Sequence, residues 1–439
     1  MSENIGELSR RSFLNLSAVA GAGLLLGACD VGGGSSPDAG GASGEQGSGE
    51  GTVKALFMKQ AGYSEDDITA MTNDFHAKYP KISVEPTFVA YDALHDKIVA
   101  AAPASTFDVV LIDVIWPAEF GSKKIVTDVT DQFPASWKSD MLGGALTTAE
   151  YQDKFYGVPW ILDTKYFFYN KDMLSKAGVD AASLSTWDGV LAGARQLKAK
   201  KVVDFPLVWS WKQAEALVCD YTQLVGAFGG KFLSDDGKSI AFNSGGGLQA
   251  LQFMKNSIDT KLTNPNSVES LEEDVRKIFS DGSAAMALNW TYMFNAANDP
   301  EQSKISGKVG VTQTPKGTAG APGCNGSMAL SVSSGSKNQK AAWTYISYIT
   351  SAEVQNKYAK SSLPCWTTSY DDPAVTQALP DVVPVAKKQL ADLISRPQVP
   401  RYNEISQILQ AELQNALLGR KPAKKALDDA AGQASSLLS

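Results

Sequence analysis

Tryptophan and aspartate side chains follow predicted strands at short spacing, a combination that can bind a ligand without breaking bonds. Asp113 ends an apolar run, and Trp116 comes three residues later. Trp290 and Tyr292 follow another predicted strand in the same way. An aromatic ring offers a broad apolar face, and an ionised carboxylate accepts strong hydrogen bonds from hydroxyl groups. Ligands of open α/β sheets bind beyond the carboxyl ends of the strands, so the pattern predicts a site there for a hydroxyl-rich ligand, with Trp290 as the main stacking surface.

Further candidate ligand contacts lie in other loops. Trp209 and Trp211 follow a strand, and side-chain alternation predicts that one points into the core and the other into a cleft. For Trp160 the alternative is core packing, for Asp113 it is a helix cap, and for Gly326 it is a simple turn rather than close approach of a ligand. The candidates from the first strand, the predicted domain crossing and the late glycine-rich loop are Lys59, Gln60, Tyr63, Trp160, Asp163 and Gly326.

Strands and helices must alternate along the chain to position these residues. The run 52–58 reads as a strand, a capping-box-like sequence at Ser64 opens a helix, and 107–113 reads as a buried strand of a parallel sheet. Such alternation predicts an α/β fold, and the 439-residue length predicts two domains. Further strands are predicted near 82–88, 205–209, 284–289, 308–312 and 328–332, and further helices near 91–102, 187–200, 213–227, 245–258, 268–280, 338–349 and 405–418.

The first 29 residues have the features of an export signal. Arg10 and Arg11 precede an apolar run that is shorter than the roughly 20 apolar residues needed to span a bilayer. The twin arginines favour the Tat route over Sec. The run ends in Leu-Gly-Ala before Cys29, which resembles a bacterial lipobox. We therefore expect a signal peptide at 1–28, a lipid on Cys29 that holds the protein at the membrane, and a flexible Gly/Ser tether completing 29–51.

Composition argues against several function classes. The net charge is −7, and the tether, with four acidic residues and no basic one, supplies −4 of it, leaving −3 for the body. Such a body has no basic surface for nucleic acid. The two histidines, His76 and His95, fall in predicted amphipathic helices, which argues against histidine-based triads and zinc hydrolases. We expect no metal, no cofactor and no catalytic residue.

Three cysteines lie in the body. Cys324 and Cys365 are both in loops rich in Gly, Pro and Ser, and we predict a disulfide between them, which an exported compartment permits. Cys219 lies in an apolar helical run and is predicted to be a buried free thiol.

Several stretches carry a resemblance to a known family. They are 91–97 with 107–113, 156–160 with 169–172, 279–286, and 298–310. In their order and spacing the chain resembles family 1 extracellular solute-binding proteins, the carbohydrate-binding subunits of bacterial ABC importers, over nearly all of 52–439. Two segments depart from the family pattern, and both contain a cysteine: 323–327 and 364–366.

The resemblance implies a periplasmic-binding-protein-like α/β fold with two α/β lobes, a multi-strand hinge and a cleft between the lobes. Lobe 1 is expected mainly at 52–160 and lobe 2 mainly at 161–325, with 326–439 returning to lobe 1 and its C-terminal helices shared across both. The implied function is that of a monomeric binding protein, not an enzyme. It would capture a neutral mono- or disaccharide outside the cytoplasmic membrane by lobe closure and deliver it to ABC permease subunits.

Two alternatives remain open. A polyol or another small solute of the same importer class would use the same residue types. A secreted glycoside hydrolase would need two catalytic carboxylates about 5–10 Å apart, and acidic residues are plentiful. No stretch resembles a hydrolase motif, however.

Overall fold

The computed structural model describes residues 49–59 and 62–438. The predicted signal peptide, the lipidation site Cys29, most of the tether and Gln60 lie outside the described residues. Among the helices that are described, none has both the length and the apolar character needed to cross a membrane.

The elements follow the predicted alternation. The strands are β1 (Gly51–Met58), β2 (Ile82–Val89), β3 (Val109–Asp113), β4 (Glu150–Tyr151), β5 (Lys154–Phe155), β6 (Val158–Ile161), β7 (Tyr166–Asn170), β8 (Leu207–Val208), β9 (Met286–Asn289), β10 (Val309–Thr312), β11 (Gly323–Cys324), β12 (Met328–Val332) and β13 (Leu393–Ile394). The helices are α1 (Glu65–Lys78), α2 (Tyr91–Ala101), α3 (Pro117–Ser122), α4 (Ala135–Asp140), α5 (Gly143–Leu146), α6 (Lys171–Ala177), α7 (Trp187–Ala199), α8 (Glu215–Ala227), α9 (Gly245–Asp259), α10 (Glu272–Ser280), α11 (Met293–Asn298), α12 (Gln339–Ile349), α13 (Ala352–Lys357), α14 (Pro373–Ala378), α15 (Val383–Gln389), α16 (Tyr402–Leu417) and α17 (Ala423–Ala434).

Local sequence signals account for several helix ends. The Ser64 hydroxyl accepts the backbone N–H of Asp67, and the Asp67 carboxylate accepts the backbone N–H of Ser64. The predicted capping box at the start of α1 is therefore confirmed. Just beyond α16, Gly419 adopts a positive φ of 71°, the left-handed conformation that commonly ends a helix.

The first sheet has five strands in the order β2-β1-β3-β12-β6. β1 runs parallel to β2 and β3, whereas β12 runs antiparallel to β3 and β6. Every residue of β3 is buried. A strand that is covered on both faces needs apolar side chains on both, which explains its continuous apolar run. Asp113, at the end of this strand, is thereby brought to the edge of the sheet where β12 begins, with Met328 as its register partner.

The second sheet has four strands in the order β10-β7-β9-β8. The chain passes from the first sheet to the second between β6 and β7, and it returns just before β12. The two crossings touch each other, because Thr164 forms a bridge with Asn325 and the backbone N–H of Gly326 donates to the Asp163 carbonyl at 3.0 Å. Residues around these crossings therefore lie between the two sheets.

Candidate functional site

Asp163 lies at the first crossing and joins it to the loop after β9. Its buried carboxylate accepts the Thr291 hydroxyl at 2.6 Å, the Thr291 backbone N–H at 3.2 Å and the Thr164 backbone N–H at 2.9 Å. Burial raises the pKa of Asp163 to about 7, although these hydrogen bonds oppose the shift. All three hydrogen bonds go to Asp163 Oδ1. Asp163 therefore mainly positions the two segments that it connects.

Trp290 follows Asn289, the last residue of β9, and remains only half-buried. Its indole N–H donates to Glu272 Oε1 at 3.2 Å, and Lys165 Nζ lies 5.0 Å from its ring centroid. Gly326 packs so closely that a Cβ there would be 2.4 Å from the six-membered ring of Trp290. The absence of a side chain at Gly326 thus allows the return crossing to touch Trp290. Close approach of a ligand to Gly326 stays a prediction.

Lys165, at the first crossing, is fully buried at the centre of a polar group that we call the Lys165 cluster. Its Nζ lies 2.5 Å from Asp220 Oδ1, 2.9 Å from Ser210 Oγ and 3.6 Å from Glu272 Oε1. Burial lowers the pKa of Lys165, but the nearby Asp220 and Glu272 carboxylates outweigh it and raise that pKa. Burial also raises the pKa of Asp220 to about 6, against the effect of its lysine partner. The ammonium group is therefore held charged where it meets the Trp290 ring.

Trp209 and Trp211 are both buried, and their rings stack 5.1 Å apart at an interplanar angle of 3°. The Trp211 indole donates to Asp220 Oδ2 at 3.0 Å, which joins it to the Lys165 cluster. The Trp209 indole donates to Thr263 Oγ1 at 2.9 Å in the apolar core. Strand alternation does not place the two rings on opposite sides, because β8 ends at Val208 and the rings stack on each other. A ligand contact by either ring stays a prediction.

Asp113 belongs to a second buried polar group, the Arg396 cluster. Tyr91 donates its hydroxyl to Asp113 Oδ2 at 2.9 Å, and Arg396 Nη2 donates to Asp113 Oδ1 at 3.0 Å. Arg396 Nη1 donates to Glu215 Oε1 at 2.9 Å, while its buried Nε has no hydrogen-bond partner among the described residues. Asp113 Oδ1 also accepts the Ile115 backbone N–H at 3.3 Å. The next helix, α3, has Trp116 at its N-cap position, so the alternative interpretation of Asp113 as a helix cap is wrong.

Helix α8 links the two clusters. Glu215 is its first residue and pairs with Arg396, while Asp220 lies about 1.4 turns later and pairs with Lys165. The site therefore combines a side chain at the end of a first-sheet strand, a lysine from one crossing and a helix that packs beside the other crossing.

Three predicted aromatic residues, Tyr63, Trp116 and Trp160, are buried in the core that contains the first sheet. Tyr63 packs on Trp160 at 4.9 Å, Trp160 packs on Phe57 at 5.4 Å, and Trp116 stacks on Tyr91 at 6.0 Å. The indole N–H groups of Trp116 and Trp160 are buried without a hydrogen-bond partner in the described part of the chain. Trp160 makes most of its contacts with core residues. The indole N–H groups of Trp116 and Trp160 nevertheless remain available as donors.

The two remaining predicted residues, Tyr292 and Lys59, lie outside both buried clusters. Tyr292 donates its hydroxyl to Glu273 Oε2 at 3.3 Å and lines an open polar cleft of about 510 Å³. The opposite side of this cleft includes Glu65 and Asp67 of α1. Lys59 is exposed and pairs with Glu65 at 3.4 Å, so the structure does not bring it into either buried cluster.

Sequence reasoning missed the charged residues at the centre of both clusters. Lys165 is a charged residue between the apolar strands β6 and β7, and Asp220 is a charged residue in the otherwise apolar middle of α8. A charge in apolar surroundings must be paired when buried, and that signal could have found both. Arg396 has no comparable local signal. Within residues 49–59 and 62–438, no group of three His, Cys, Asp or Glu side chains is placed to hold a metal ion.

The predicted disulfide between Cys324 and Cys365 is wrong. Both are free buried thiols, and so is Cys219, as predicted. The thiol beside Cys324 is that of Cys219, whereas Cys365 lies in a separate core cluster with its backbone N–H donating to Gln355 at 2.7 Å.

Two β-sheets with flanking helices, joined by two crossing segments, are the architecture of the periplasmic-binding-protein fold. Residues 48–356 match the family of bacterial extracellular solute-binding proteins. The chain belongs to this family.

Individual relatives agree with this assignment. The chain is 31% identical over 350 residues to a probable ABC transporter-binding protein of Deinococcus radiodurans, which covers 76% of this chain and 80% of that protein. The structure of maltose-bound MalE3 from T. maritima has a TM-score of 0.82 at 29% identity, covering 88% of this chain and 99% of that one. A solute-binding protein of Thermotoga lettingae bound to α-D-tagatose has a TM-score of 0.80 at 26% identity, with coverages of 88% and 100%.

The predicted fold class and family are therefore confirmed. The protein is an extracellular solute-binding protein of the ABC transporter type, not an enzyme, and its family functions outside the cytoplasm.

Proposed function

We propose that this protein captures a neutral mono- or disaccharide and delivers it to the membrane subunits of an ABC importer. The proposal rests on the side chains that surround Trp290. Its ring is half-buried and lies within 5.0 Å of the Lys165 ammonium, and its indole N–H meets the partly exposed Glu272. A flat apolar surface bordered by a donor and an acceptor matches a sugar ring, which has C–H faces and a rim of hydroxyls.

The charges around the site favour a neutral ligand. Lys165 already faces Asp220, and Arg396 already faces Asp113 and Glu215. Because these charged side chains already have partners, a charged ligand would be buried without a counter-ion. Burying an unpaired charge costs free energy. Hydroxyl groups can add hydrogen bonds to these pairs without disturbing the charge balance.

Two structural relatives support a carbohydrate ligand. The T. maritima protein was solved with maltose and the T. lettingae protein with α-D-tagatose. The ligands differ in size and ring form, so they support the class of ligand rather than a particular sugar.

Capture would proceed by closure of two lobes, mainly 52–160 and 161–325, around the ligand. The cleft between α1 and Tyr292 would be the entrance. A ligand favours the closed form only through contacts that exist in that form, and Trp290 with the Lys165 cluster would supply them. A lipid on Cys29 and a tether ending at residue 51 would hold a monomer near its permease.

The test is a thermal-shift screen of the purified protein against monosaccharides, disaccharides and polyols. A ligand that binds only the folded state adds about 4 kcal/mol at a thousandfold excess over Kd. We expect a shift with one class of neutral sugar, lost in Trp290→Ala. The matched control is Trp343→Ala, since Trp343 is also half-buried but stacks on Trp137.

The other results of the screen are also decisive. A shift with polyols alone would replace the sugar by a polyol as the ligand. No shift with either class, in protein shown to be folded and free of bound ligand, would contradict the proposal. The lipid anchor has its own test, because Cys29→Ala should move the protein from the membrane fraction to the soluble fraction.

A further inference from the structure

Helix α8 packs tightly against the short strands β11 and β13. Gln223 Oε1 accepts the backbone N–H of Cys324 at 3.1 Å. Three residues further along the helix, a Cβ on Gly226 would be 2.7 Å from Ile394 Cδ1 and 3.0 Å from Pro322. Cys219 precedes Gln223 by four residues and therefore lies on the same helix face. This packing brings Cys219 to the strand that carries Cys324.

The two thiols are partners in the structure. The Cys219 thiol lies beside the Cys324 thiol, and both residues are buried. The interaction between the two thiols lowers the pKa of Cys324 and raises that of Cys219, and the guanidinium of Arg396 favours the thiolate of Cys324 further.

We propose that Cys219 and Cys324, which are free thiols in this structure, form a disulfide in the exported protein. Disulfides persist outside the cytoplasm, where the family functions. The oxidant would be a small or protein disulfide. The thiolate of one cysteine attacks one of its sulfurs, forming a mixed disulfide and releasing one thiol. The other cysteine then loses its proton and attacks the sulfur of the first cysteine, which releases the second thiol, so the oxidant takes up two electrons.

This disulfide would brace the binding site independently of which ligand it takes. α8 supplies Glu215 to the Arg396 cluster and Asp220 to the Lys165 cluster, and Cys324 directly precedes the return crossing. The bond would tie these parts together and close a loop of about 100 residues, which restricts the unfolded chain.

The experiment uses the full chain refolded from guanidinium in a mixture of reduced and oxidised glutathione. Free thiols are alkylated under denaturing conditions and the peptides are mapped by mass spectrometry. We expect the Cys219 and Cys324 peptides to be linked, with a loss of two hydrogens, and Cys365 to be alkylated. Reduction should lower the Tm by an amount on the order of 5 °C.

Two variants separate the pairings. Cys365→Ser should keep both the linked peptide and the Tm shift, whereas Cys219→Ser should lose both. Alkylation of Cys219 and Cys324 in refolded protein would overturn the proposal, as would a link from Cys324 to Cys365. A reduction-dependent Tm shift that persists in Cys219→Ser would overturn it as well.

Discussion

Arg396 Nη2 lies 3.0 Å from Asp113 Oδ1, although 283 positions separate the two residues in the sequence. The same guanidinium binds Glu215 on α8. Its Nη2 also donates to the Asn325 carbonyl of the return crossing at 3.3 Å. One buried cation thus joins the end of β3, a helix and a crossing segment.

Removing this cation should destabilise the fold strongly. Arg396→Met leaves the carboxylates of Asp113 and Glu215 buried without their partner, and breaking such a pair costs about 3–5 kcal/mol. We expect that loss in the free energy of unfolding, measured by urea denaturation. The control is Arg401→Met, because Arg401 and Glu404 form an exposed pair worth about 0.5 kcal/mol. Equal losses in the two variants would contradict the assigned role.

The contact between Gly326 and Trp290 should appear as a coupling energy. Gly326→Ala places a methyl group against the indole, and overpacking of this kind costs about 1–3 kcal/mol. In a Trp290→Ala background the cost should largely disappear, as a double-mutant cycle by chemical denaturation would show. Gly432→Ala is the matched control. Gly432 lies in α17 with open space at its Cβ, so alanine should stabilise by about 1 kcal/mol. Additive effects at 326 and 290 would refute the contact.

Asp163 should make the protein less stable as pH rises. Its folded pKa of about 7 exceeds the usual value of about 4 for an exposed aspartate, so between these pH values the unfolded chain releases a proton that the folded protein retains. Stability therefore falls from about pH 4 to pH 7, by up to about 4 kcal/mol for this residue. Asp163→Asn keeps the acceptor oxygen and should flatten that part of the pH profile. An unchanged slope would show that the folded Asp163 carboxyl titrates normally.

His95 should act in the opposite direction. Its Nε2 lies 2.9 Å from Glu119 Oε2, and this carboxylate raises the pKa of His95 above its usual value despite partial burial. The added stability is fully present below about pH 6.5, the unfolded pKa, and is lost as pH rises through the folded pKa. We expect His95→Gln to lose about 1–2 kcal/mol at pH 5 and clearly less at pH 8.5. Equal losses at both values would mean that the charged imidazole contributes nothing.

Local patterns in the sequence predicted many of the helices and strands. Apolar spacing predicted α9 and α16, alternating or continuous apolar runs predicted β2 and β3, and Ser64 marked the start of α1. These features depend on interactions between residues a few positions apart. The family resemblance then supplied the class of protein, which its relatives confirm. The lobe boundaries and the individual ligand contacts stay predictions.

Only the tertiary structure decided which distant residues meet. The partner of a buried charge or thiol depends on how β12 inserts between β3 and β6 and on where α8 packs. No local spacing therefore indicated that Arg396 would reach Asp113, or that Cys324 would face Cys219 rather than Cys365. Residue types and periodicity determined the elements and the chemistry available to the protein. Chain topology determined the pairs, because a buried charge is stable only where the fold places its counter-charge within a few ångströms.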